Sequence, residues 1–267
     1  MTVEHETPRD QLAHTYDRAF YETLDASVRG SAEVIVPMVV DLVHPRSVLD
    51  VGCGRGTWLD VFRAAGVGDS IGVDGPHIAA ADLEIPPATF VAHDLDTPLR
   101  LDRRFDLAVS LEVGEHLDAA LAPALVASLV THAPVVLFSA AVPFQGGAGH
   151  VNEAWPSQWA GHFAAHGYDP YDVVRPRVWS DPRVAFWYAQ NTILYVDRSH
   201  APTLPALGAP APADPSLDLV HPALHVRDHT TRKPPPPPPS LSRVMRDAPG
   251  AAWRAVRNRL HRPGADR

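Results

Sequence analysis

Cysteine is almost absent from this sequence: Cys53 is the only one in 267 residues. No internal disulfide can form, which fits a reducing cytoplasm. Lysine is equally scarce. Lys233 stands alone among arginines, and the abundance of alanine and proline reads as a GC-rich genome rather than a functional choice. No apolar run approaches the roughly 20 residues a bilayer-spanning helix needs. Residues 1–10 are polar, so no secretory signal is expected either. Positive charge is also in deficit. A formal net charge of −8 argues against nucleic acid as a partner, because phosphate binding wants a basic surface.

What is present is an ordinary globular apolar content and a clear change of pattern along the chain. Residues 8–42 read as helical, with an interruption at Gly30-Ser31 and a kink or a start at Pro37. From Ser47 short apolar strands alternate with helices. Strands are expected at 47–51, 70–74, 89–92, 105–110 and 135–139, then a final pair at 172–174 and 187–196. Helices are expected at 57–65, 117–132 and 157–166. Such alternation implies right-handed crossovers and a mostly parallel sheet covered on both faces. After Asp197 the composition shifts. Residues 201–216 are rich in Pro and Ala, and 234–239 are a polyproline run, a composition expected to build no core. The expected division is an N-terminal helical segment 1–45, an α/β domain 46–198, a Pro-rich linker 199–240 and a basic tail 241–267.

The segment with the most chemical content is Val48-Leu49-Asp50-Val51-Gly52-Cys53-Gly54-Arg55-Gly56. A strand that runs into glycines at alternate positions and then a helix is a nucleotide-cofactor arrangement, because glycines let a ligand approach the backbone. The following helix N-terminus would add N–H donors. A dinucleotide fold wants Gly-x-Gly-x-x-Gly around a pyrophosphate. Here the spacing is Gly52-x-Gly54-x-Gly56, and Asp50 precedes it. A carboxylate there repels a pyrophosphate and suits an ammonium or a sulfonium.

The segment resembles motif I of the class I S-adenosylmethionine-dependent methyltransferases. The resemblance runs to about Val196 through later matches: Gly72-Val73-Asp74, His93-Asp94-Leu95, and Glu112-Val113-Gly114-Glu115-His116 after a fourth strand. It implies a Rossmann-like seven-stranded α/β sheet, mostly parallel with an antiparallel last strand, under an N-terminal helical lid. It implies S-adenosyl-L-methionine held by Asp50, Gly52, Cys53, Gly54 and Gly56, by Asp74 on the ribose, by Asp94 and Leu95 at the adenine, and by Leu111 and Glu112. Read singly, an Asp at a strand end is as readily a helix cap.

Methyl transfer from a sulfonium asks the protein to align the acceptor, exclude water and, for a hydroxyl, take a proton. His116 and His150, on loops after the fourth and fifth strands, are the candidate bases. The bland alternatives are a packed or capping His116, and Asn152 and Glu153 capping the helix near Trp155. The spacing of His150, Glu153, Glu112 and Glu115 matches no strong metal signature, so no metal is expected. The expected reaction is O-methylation of a small molecule such as a sugar or secondary metabolite. N-methylation, a non-catalytic cofactor-binding partner and a nicotinamide oxidoreductase stand as alternatives. The arginine-rich tail, with Trp253 and Leu260, offers peripheral membrane or protein docking, against a plain solvated end.

Overall fold

The computed structural model describes residues 18–231, with side chains from 26 to 227. The side chains of Tyr16, Phe20 and Tyr21, the polyproline run and the basic tail lie outside the described residues. The chain divides into two units after Val226, and the whole sheet belongs to the first.

Seven strands form one sheet: β1 (Ser47–Val51), β2 (Asp69–Asp74), β3 (Phe90–Ala92), β4 (Leu107–Leu111), β5 (Val135–Ser139), β6 (Tyr168–Tyr171) and β7 (Ile193–Asp197). Their order is β3-β2-β1-β4-β5-β7-β6. β7 runs antiparallel to both β5 and β6, and every other pair is parallel. This is the Rossmann-like sheet with an antiparallel last strand that the sequence predicts.

Seven α-helices occur among the described residues: α1 (Arg18–Val43), α2 (Thr57–Ala64), α3 (Ala122–His132), α4 (Pro156–Ala164), α5 (Arg175–Val178), α6 (Phe186–Asn191) and α7 (Pro222–Thr231). Successive strand residues point to opposite faces. Val48 packs in a cluster with Ile35 and Val36 of α1 and Leu59 and Phe62 of α2. Its neighbour Leu49 packs in another with Leu129 of α3 and Trp159 and Phe163 of α4. Each of these large side chains contributes about 1.5–3 kcal/mol by leaving water. Strand order reverses between β1 and β4, and open α/β sheets bind ligands in the crevice at that point.

The structure departs from the sequence expectation at five places. The Gly30-Ser31 interruption does not exist. α1 runs through it, because a glycine lets the Arg183 carbonyl oxygen come within 3.0 Å of the Cβ position. Ser31 Oγ donates to the Ser27 carbonyl at 2.6 Å and accepts the Ala185 N–H at 2.9 Å. Pro37 likewise stands inside α1 and neither starts nor ends it. Residues 187–191 are helical, not the first half of a long strand; aromatic composition suggested β, but Phe186–Asn191 lacks alternation and forms α6. The preceding strand ends at Tyr171, and Asp172 turns away to pair with Arg175 at 2.8 Å. Finally, residues 201–217 do build core. Three 3-10 turns deliver Leu204, Leu207 and Leu217 into the two clusters, spaced leucines doing what the proline content concealed. Among the described residues no helix is long and apolar enough to cross a membrane.

Candidate active site

The carboxyl ends of β1 and β2 bring Asp50, the glycine loop and Asp74 together. Gly52 has φ +81°, and a Cβ there would lie 2.3 Å from a Val113 methyl, so the turn admits no side chain. The loop is tied to β2: the N–H groups of Gly52 and Cys53 donate to the Val73 carbonyl at 2.8 and 3.1 Å. Gly54 N–H donates to Asp74 Oδ2 at 2.7 Å, and Gly75 N–H to Asp74 Oδ1 at 2.6 Å. Gly56 N–H donates to Cys53 O at 2.9 Å.

Four loop amides are therefore spent inside the protein, so the N–H cradle that a pyrophosphate needs is not built from them. Gly56, the residue that caps the following helix, is one of them. What the site offers instead is a buried carboxyl without a partner. Asp50 is buried, and its Oδ2 has no hydrogen-bond partner. Burial, then the neighbouring Asp74 charge, push its carboxyl up to about 8. Burial likewise raises Asp74. A buried carboxylate short of a donor fits a cationic group such as the ammonium of an amino acid. Nothing lies within 4 Å of a Cβ placed on Gly54, so the loop faces open space there.

The other cofactor candidates fall less evenly. The Cys53 side chain is buried with its sulfur against Gly72, and burial raises the thiol well above its ordinary range; it can serve through backbone only. Asp94 is exposed in the turn after β3, where its Oδ1 accepts the Asp96 N–H at 3.2 Å. That turn reaches the site through its neighbour, His93 N–H donating to the Asp74 carbonyl at 2.8 Å. Leu95 is half-buried against the core, and Leu111 is buried at the end of β4.

Glu112 follows with φ +55°, a left-handed conformation that costs a non-glycine residue of order 1–3 kcal/mol and that the surroundings must hold. They do. Its N–H donates to both O and Oγ of Ser139 at 3.0 Å. Its carboxylate takes Asn191 Nδ2 at 3.0 Å and Gln145 Nε2 at 2.9 Å. Gln190 braces both amides, at 3.1 Å to Gln145 and 2.9 Å to Asn191. Buried Arg175 donates to the Gln190 carbonyl at 3.3 Å. No motif in the sequence marks Gln145, Gln190, Asn191 or Arg175. The available signal was a pair of amides in an otherwise apolar run, Ala189 to Val196.

The structure brings the two candidate bases into contact. Val151 and Asn152 N–H both donate to the Glu115 carbonyl, at 2.8 and 3.0 Å, which hooks the 144–152 loop onto the end of β4. The His116 and His150 rings then meet edge to face, 4.9 Å between centroids at 86°. His150 Nδ1 lies 3.0 Å from Glu153 Oε1, and Glu153 also accepts the N–H groups of Phe144 and Gly146. Glu153 is thus a loop brace, not a helix cap; the cap at α4 is Gln158 Oε1, which accepts the Trp155 N–H. Burial, then His150, lower the His116 imidazole to about 4, leaving it neutral. Beside them Glu115 is fully buried, raised well above the usual carboxylate range by burial and then by Glu112.

Residues 11–158 match the family described as a methyltransferase domain, more than half of the chain. The chain belongs to that family. It is a class I S-adenosylmethionine-dependent methyltransferase, which sets the oxidoreductase reading aside. Similar solved structures include DesVI of Streptomyces venezuelae, at TM-score 0.51 and 20% identity over 72% of this chain and 99% of that one. CalS10, an amino pentose methyltransferase from Micromonospora echinaspora, gives 0.51 and 16% over 73% and 100%. The sugar N-methyltransferase KedS8 from Streptoalloteichus gives 0.50 and 19% over 74% and 99%. At such identities the likeness shows the fold alone. None of the curated proteins compared with this methyltransferase matches it.

Proposed function

We propose that this methyltransferase acts on a small molecule of the sugar or secondary-metabolite class and that the accepting atom is an amine nitrogen. S-adenosyl-L-methionine, when bound, supplies a methyl group on a cationic sulfur. Asp50 holds its ammonium end, Gly52, Gly54 and Gly56 leave room along the backbone, and Asp74 holds the ribose hydroxyls. Asp94, Leu95 and Leu111 line the adenine side, and Glu112 the methionine side. The observation that carries the cofactor placement is the unpartnered Asp50 oxygen beneath a loop whose amides are turned inward.

For the acceptor, the names printed for two similar structures, an amino pentose methyltransferase and a sugar N-methyltransferase, support nitrogen. The chemistry is consistent. A neutral amine carries its own lone pair, so alignment and desolvation do most of the work. A second reading, transfer to a hydroxyl, draws on the His116–His150 pair at the rim, where a neutral imidazole can accept a proton. Cytoplasmic location accompanies either reading.

The test has two stages. Calorimetry should find S-adenosylhomocysteine binding and no NAD binding; the reverse sinks the cofactor assignment. A panel of amino sugars and their hydroxyl analogues, with methyl-labelled S-adenosylmethionine, should then give label on nitrogen. Label on oxygen alone replaces the first reading with the second. His150→Ala and His116→Ala should each lower turnover by about 10²-fold or more if either acts as a base, and unchanged rates remove both from the chemistry.

A further inference from the structure

Glu115, His116 and His150 converge from two separate loops, and their ligand atoms all lie within 4.8 Å of one another. No motif spacing announces this, because His150 arrives from the 144–152 loop. We propose that these three side chains form a binding site for a first-row divalent cation, of the Zn²⁺ or Mn²⁺ type, at the acceptor rim.

Three independent features of the site point to an ion. First, Glu115 is 0% exposed, and neither of its carboxylate oxygens has a hydrogen-bond partner. A buried carboxylate is kept only if it is neutralised or paired, or if it binds a metal. The neighbouring carboxylate, Glu112, accepts from Asn191 and Gln145 and brings no positive charge to offset it. Second, both imidazoles meet acceptors through Nδ1. His150 Nδ1 faces Glu153 Oε1 at 3.0 Å, and His116 Nδ1 faces the Gly149 carbonyl at 3.4 Å. That selects the Nδ1–H tautomer, in which Nε2 carries the lone pair that ligates. A carboxylate behind a ligating histidine is the usual outer shell of a metal site. Third, the loop that carries His150 is pinned to the very residue that carries the carboxylate, through the Glu115 carbonyl. The ligands are held together before any ion arrives.

Two nitrogens and one oxygen suit zinc, manganese or iron better than magnesium or calcium, which prefer oxygen. Three protein ligands leave positions open, as catalytic sites do. An acceptor hydroxyl there, whether the methylated group or one beside a sugar amine, would be oriented and acidified. That use rests on the proposed methyl transfer to a small molecule; the binding itself does not.

The experiment titrates EDTA-treated full-length protein with ZnCl₂ and with MnCl₂ by calorimetry, and follows Mn²⁺ by electron paramagnetic resonance. One ion per chain should bind saturably and raise the melting temperature. Glu115→Gln and His150→Ala should each weaken binding at least tenfold, and Glu153→Gln about tenfold through the tilt of His150. S-adenosylhomocysteine affinity, measured on the same samples, should hold in every variant and so certify the fold. If a variant loses that affinity too, His150→Gln takes its place. No saturable binding to the wild type, or equal binding by the Glu115 and His150 variants, overturns the metal site. Loss of S-adenosylhomocysteine binding by the wild type would instead overturn the cofactor reading and leave the ion titration standing on its own.

Discussion

Asp50 is the residue whose chemistry is easiest to isolate. In the free protein burial, then the Asp74 charge, push its carboxyl up to about 8. A bound ammonium would favour the charged form, so its pKa in the complex falls. Affinity then rises with pH between the two values. The expected outcome is tighter S-adenosylhomocysteine binding at pH 8 than at pH 6, with proton release seen as a buffer-dependent heat. Asp50→Asn should weaken binding at least tenfold and flatten the pH profile. The sign for folding is opposite. A carboxyl whose folded pKa lies above its unfolded value stabilises the fold less as pH rises from about 4 to 8. The ligand-free wild type should therefore lose stability over that range, and Asp50→Asn should lose less. At this scale the sequence was informative about Asp50 and Asp74, since a carboxylate at a strand end beside glycines has a direct chemical meaning. It was silent on Gln145 and Asn191, whose role exists only once two distant loops meet over Glu112.

Among elements, the β1–α2 turn makes a sharp prediction. Gly52→Ala faces both φ +81° and the Val113 methyls. The backbone cost alone is of order 1–3 kcal/mol, to be read from the denaturation midpoint. Val113→Ala in the same chain should recover the steric share and leave the backbone share. Gly54→Arg shares the left-handed backbone cost, at φ +54°, but no atom within 4 Å opposes its Cβ, so cofactor affinity should fall further than stability. Strands β1 to β5 and most helices are legible because apolar alternation and helical periodicity are local. α6 is not. Phe186-Trp187-Tyr188 has strand composition, and only the packing of Tyr188 and Ala189 against the core makes it helical and aims Gln190 and Asn191 at the site. The continuity of α1 through Gly30 is not legible either, because a glycine that serves close packing looks the same in sequence as one that ends a helix.

Over the whole molecule, the boundary near residue 198 is where a purely compositional reading fails. Leu204, Leu207 and Leu217 are buried beyond it, and Asp218 accepts both the N–H and the hydroxyl of Ser157 at 2.9 and 2.8 Å. A chain ended after residue 199 should be markedly less stable than one ended after 231, as thermal melts would show. Leu217→Ala in the full chain should cost about 2–5 kcal/mol. The hook of the 144–152 loop on the Glu115 carbonyl has a further consequence. A glycine-rich surface loop ordinarily exchanges its amide hydrogens within moments and must be frozen when a ligand arrives. Here two consecutive amides share one buried carbonyl, so Val151 and Asn152 should exchange slowly with the acceptor site empty. Little chain entropy is then left to lose at encounter, and acceptor binding should look like docking onto a rigid surface.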